Sequence, residues 1–116
     1  ILFFIISCNK KDNLNNCSDN LIKGKLVVKG ICMNYVIRVF DNNLDNSLIE
    51  NEWIHEFTKE TYKDVFRLGS VCNFPEYLNE GDKFYFTINE YKTNDLCVVC
   101  LAYSPTPEKI LYINIC

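Results

Sequence analysis

The chain has 116 residues, 48% of them hydrophobic and 14% aromatic, enough apolar material for one core and too little length for two. Its 12 basic and 15 acidic residues leave a net charge of −3, the wrong sign for a phosphate-neutralising surface, so no nucleic-acid partner is expected. The same composition excludes wholesale disorder.

The chain opens on Ile1-Leu2-Phe3-Phe4-Ile5-Ile6-Ser7-Cys8 and turns abruptly polar at Asn9-Lys10-Lys11-Asp12-Asn13. An apolar run this short cannot span a bilayer, which needs roughly 20 residues of helix. It fits the end of a signal-peptide apolar region. Ile5-Ile6-Ser7-Cys8 resembles a bacterial lipobox, in which cleavage before the cysteine leaves it N-terminal and acylated. The resemblance implies residues 1–7 as residual signal peptide, Cys8 as the lipidation site and residues 8–20 as a polar tether. The membrane is then met through the N-terminal lipid, in the cell envelope, on the outer membrane and facing the periplasm or the surface. The bland alternative is a buried N-terminal strand, but residues 1–6 show no alternation.

Residues 21–116 read as a single β-barrel domain. From Ile22 the pattern has period two, with Ile22, Gly24, Leu26, Val28 and Gly30 on one face against Lys23, Lys25, Val27 and Lys29. Residues 35–40 form a second strand, and the short connection implies a hairpin. Ser47 and Glu50 make a capping box, and Ile49, Trp53 and Phe57 recur at helical spacing, which predicts one short helix over 47–58 whose stripe plugs the sheet. A short strand follows at 65–68. Asn79-Glu80-Gly81-Asp82 is a turn whose glycine supplies positive φ. Phe84, Phe86 and Ile88 then alternate with Tyr85, Thr87 and Asn89. Residues 96–103 and 109–116 supply two more strands, separated by a proline-stiffened link. The expected fold is mainly β: a small antiparallel five- or six-stranded barrel or sandwich, OB-like, with one short helix between the second and third strands.

The stretches Lys29-Gly30-Ile31-Cys32, Tyr35-Val36-Ile37-Arg38-Val39, Cys72-Asn73-Phe74-Pro75, Glu80-Gly81-Asp82-Lys83-Phe84-Tyr85-Phe86, Cys97-Val98-Val99-Cys100 and Pro105-Thr106-Pro107-Glu108-Lys109 resemble a group of small uncharacterised lipoproteins of Bacteroidetes. The resemblance covers most of residues 22–115. It implies an envelope location and an all-β core, and it carries no catalytic residues across.

Setting Cys8 aside leaves Cys17, Cys32, Cys72, Cys97, Cys100 and Cys116 as disulfide candidates in an oxidising compartment. Sequence leaves the pairings open, with a preference for Cys32 bonded to Cys72. Cys97-Val98-Val99-Cys100 also has the spacing of a redox pair, but no helix start is expected there to lower a thiol pKa. In an unbroken strand its two cysteines face opposite sides and bridge different partners. Structural zinc is not expected, because a second C-x-x-C is absent and His55 is the lone histidine.

His55 reads as a surface residue of the helix, and Glu50, Glu52, Glu56, Glu60 and Asp64 as its solvated acidic face. Lys23, Lys25 and Lys29 read as a solvated lysine row. No cofactor and no enzymatic activity are expected. The outward face Tyr85, Thr87, Asn89 and Tyr91 is the candidate ligand surface, suited to an envelope protein, peptide or glycan. The expected function is thus a non-catalytic ligand- or partner-binding module. A thiol-disulfide protein or an inhibitor of a secreted hydrolase is the alternative.

Overall fold

A computed structural model describes residues 20–40, 44–89 and 97–116. The expected signal remnant, Cys8, Cys17, Tyr91 and nearly all of the tether lie outside the described residues. The described residues form six strands: β1 (Ile22–Lys29), β2 (Tyr35–Val39), β3 (Glu50–Ile54), β4 (Thr61–Leu68), β5 (Lys83–Asn89) and β6 (Ile110–Ile115). β1 pairs antiparallel with both β2 and β5, β5 with β6, and β2 with β4, while β4 and β6 run parallel. That circuit closes a five-stranded barrel in the order β1-β2-β4-β6-β5, with β3 added outside along β4. The expectation of a small OB-like β-barrel therefore holds, closure giving each barrel strand paired neighbours on two sides while β3 is paired with β4 alone among the described strands.

The core follows from alternation. Leu26, Ile37, Phe66, Phe86 and Ile113 all point inward and are buried. Phe74 caps one end, its ring 5.6 Å from those of Tyr35 and Phe84 at the starts of β2 and β5. Leu48 and Ile49 pack on the same core ahead of β3. Gly24 is an inward position where only a hydrogen fits, since a Cβ there would stand 2.8 Å from the Phe86 ring.

Four local readings are corrected. The helix over 47–58 is reduced to a single 3-10 turn at Asn46–Leu48, followed by β3. Asp45 rather than Ser47 caps that turn, accepting from the Ser47 N–H at 2.9 Å. The Glu50 carboxylate instead accepts from the Glu108 and Lys109 amides, and Trp53 pairs across the strands with Tyr62. Of the expected stripe Ile49 alone keeps the plugging role, joined by Leu48; Trp53 and Phe57 do not keep it. In β1 the register shifts between Leu26 and Val28, and Val28 joins Val36 and Val65 in a second, smaller cluster instead of the main core. Lys29 leaves the solvated row as well, its ammonium donating to the Leu78 carbonyl at 2.7 Å and that of Glu76 at 3.1 Å. Residues 97–103, the described part of the strand expected at 96–103, run without turn or bend and pair with no strand among the described residues.

Candidate functional site

The cysteines decide the shape of one end of the molecule. Cys32 is bonded to Cys100 and Cys72 to Cys97, with Cα atoms 5.0 and 5.6 Å apart, and Cys116 is disulfide-bonded as well. The preferred pairing of Cys32 with Cys72 is wrong. Each instead reaches the β5–β6 connection, because the β1–β2 connection and the segment after β4 both abut it. The two cysteines of the C-x-x-C do take different partners, as alternation implies, although no strand holds them.

The β1–β2 connection is itself unusual. Cys32 and Met33 both adopt left-handed backbone, with φ of 57° and 60°, a conformation that non-glycine residues resist by roughly 1–2 kcal/mol each. Local bonds offset that cost: the Gly30 N–H donates to the Asn34 carbonyl at 3.2 Å, and the Asn34 N–H to that of Ile31 at 3.1 Å. Asn34 Nδ2 then reaches both the Ile31 carbonyl, 2.8 Å away, and the Ala102 carbonyl, 3.3 Å away. Gly30 has no room for a side chain, a Cβ falling 2.6 Å from the Asn34 oxygen and 2.7 Å from Ser104 Oγ.

The segment on which these contacts converge runs from 97 to 107 with neither turn nor bend. Residues 97–103 are all exposed, Val98 and Leu101 at 95%. The Tyr103 hydroxyl donates to Glu56 Oε1 at 2.7 Å, and its ring lies 6.1 Å from that of Phe57. Pro105 and Pro107 are buried and end the exposed stretch. An apolar loop is thus displayed by seven residues and fixed at four of them.

The opposite anchor is the β3–β4 turn, where His55 lies. His55 is buried in a strand hairpin rather than exposed on a helix. Its Nδ1 accepts from the Phe57 and Thr58 amides at 3.1 and 3.2 Å, so the nitrogen lone pair that a general base needs is committed to the turn. The acidic residues are likewise strand and turn residues, not a helical face: Glu56 accepts from Tyr103, and Glu60 from the Tyr62 hydroxyl at 2.7 Å. Among the described residues no cluster of three or more His, Cys, Asp or Glu could hold a metal, and no helix is long and apolar enough to cross a membrane.

The expected ligand face lies elsewhere. Tyr85 is exposed on β5, while Thr87 and Asn89 stand across the ladder from Asn114 and Tyr112 of β6. Together with Asn20 these four line a cleft of about 760 Å³ to which Ile88 and Leu111 also contribute. Its lining holds no Asp, Glu, His, Lys or Arg, so it offers hydrogen bonds without an acid-base pair. Sequence reasoning found two of its residues and missed Tyr112 and Asn114, whose partnership with β5 follows from the ladder alone. It missed Val98 and Leu101 altogether, having placed them in a strand.

Against known proteins, no family model, no curated protein and no solved structure matches this chain.

Proposed function

We propose that the chain is a non-catalytic partner-binding module of the cell envelope, anchored through lipid on Cys8 and binding through residues 97–103. The observation that carries this reading is the display of Val98 and Leu101 on an extended segment pinned by two disulfides. Side chains so exposed contribute nothing to the fold, whereas burying each against a partner is worth about 1.5–3 kcal/mol. The segment is ordered in advance, so binding spends little further entropy on it. Its apolar character favours a protein pocket over a glycan, which asks for hydrogen bonds. The disulfides fit an exported protein, since bridges persist in oxidising compartments.

Two measurements test the reading. A photoreactive residue at Leu101, introduced into the protein in intact host cells, is expected to give one specific adduct that excess unlabelled protein competes away, while the same probe at Lys63 gives none. Metabolic labelling with palmitate is expected to mark the wild type and not Cys8→Ser. Equal adducts at both positions, or no competition, would remove the loop from the proposal; absence of label at Cys8 would remove the anchor.

A further inference from the structure

The loop around Leu101 has the properties of a substrate that is held still. Among the described residues the backbone groups of Val98, Val99, Cys100 and Leu101 take part in no hydrogen bond, and no residue from 97 to 107 has positive φ. Such a stretch can add to a partner as an extra strand while its side chains enter pockets. Proteases read their substrates in this way, with one side chain in a primary specificity pocket that is an apolar slot in some and acidic in others.

Leu101 is placed for that slot. It is 95% exposed, is followed by the small Ala102, and is held on both sides, by the bridge from Cys100 to Cys32 and by Asn34 Nδ2 on the Ala102 carbonyl 3.3 Å away. A loop meant to rest on an anionic membrane would carry basic residues, each worth about 1 kcal/mol at such a surface. Residues 97–108 contain neither Lys nor Arg.

We infer that Leu101 enters the primary pocket of a serine endopeptidase of apolar specificity, with the peptide bond between Leu101 and Ala102 against its catalytic serine, and that the chain is a competitive inhibitor of such enzymes. This rests on the reading of 97–103 as the binding loop and adds its partner class. Attack of the serine hydroxyl on the Leu101 carbonyl carbon forms an ester and releases the Ala102 amine, which takes up the hydroxyl proton. The bridge at Cys100 and the Asn34 hydrogen bond keep ester and amine together, so the amine returns to the carbonyl, re-forms the peptide bond and restores the serine. Loss of the amine by diffusion is what lets water finish the cleavage of an ordinary substrate, and here it is prevented.

The test titrates the disulfide-intact full chain against chymotrypsin, subtilisin and trypsin with peptide substrates. Wild type is expected to inhibit the first two competitively and to remain uncleaved. Leu101→Lys is expected to lose at least about 30-fold on chymotrypsin, the scale of a central interface residue, and to gain trypsin inhibition. Leu101→Asp is expected to inhibit none, with an unchanged urea midpoint showing that the fold survives. Rapid cleavage after Leu101, no inhibition by wild type, or a Leu101→Lys variant with unaltered preference overturns the inference, as does Leu101-dependent sedimentation with phosphatidylcholine–phosphatidylglycerol vesicles in place of inhibition. A competed photo-adduct at Leu101 without inhibition of any of the three enzymes rejects the protease and keeps the binding loop; with neither, both fall.

Discussion

Tyr62 illustrates how one side chain reports its surroundings. Its phenol is pushed up to about 12 from the ordinary value of 10, first by partial burial in the cluster with Val65 and Trp53, then by donating to Glu60. Both effects favour the protonated form. A group whose folded pKa lies above its unfolded one contributes stability that is fully present below pH 10 and lost as pH climbs toward about 12. Ultraviolet phenolate titration should therefore show one late-ionising tyrosine fewer in Tyr62→Phe than in the wild type, and the variant should lose less stability than wild type across that window. Tyr103 is raised too, chiefly by its hydrogen bond to Glu56, which ties the late titration of an exposed ring to the seating of the loop. Asp64 shows a residue whose role was not legible: its left-handed backbone, φ 55°, breaks the alternation of β4, so that Tyr62 and Val65 pack in one cluster. Nothing in an aspartate between Lys63 and Val65 announces that.

At the scale of elements, the two bridges join three connections that the barrel brings together at one end. In the chain-entropy model a bridge spanning 25 residues contributes about 3.5 kcal/mol and one spanning 68 about 4.4 kcal/mol. Removing Cys32 and Cys100 together as serines should lower the urea midpoint more than removing Cys72 and Cys97, and should also release the strained β1–β2 connection. The reverse order would mean that the longer bridge constrains the unfolded chain less than its span implies. Residues 47–58 show why an element can be misread. Ser47, Ile49, Glu50, Trp53 and Phe57 satisfy a helical template, but a capping box and an i, i+4 stripe are local signals worth about 1 kcal/mol. Against them stand the ladder of β3 with β4, the Glu50 contacts with Glu108 and Lys109, and the pairing of Trp53 with Tyr62. All of these are contacts at a distance in sequence, and together they win.

For the whole molecule, stability depends on closure. β2 and β4 complete the circuit through only three paired positions, Val36 with Arg67, Ile37 with Phe66 and Arg38 with Val65. Phe66 and Phe86 meet across the interior with ring centroids 5.9 Å apart, both wholly buried. Phe86→Ala should cost about 3–5 kcal/mol, much of the net stability of a domain this size, and should appear as a large fall in the urea midpoint. A loss under about 1 kcal/mol would mean that the barrel interior collapses around the missing ring.

Alternation and composition on their own determined the β class, the strands at β1, β2, β5 and β6, the turn at Gly81, with its φ of 96°, and the inward position of Phe84 and Phe86. These features are periodic or local, so each is written in a short window of residues. The partners of the cysteines, the conversion of a helical pattern into β3, the burial of His55 and the freeing of Leu101 were decided only by the tertiary structure. Each of them depends on which segments closure of the barrel brings side by side, and no spacing along the chain records that distance.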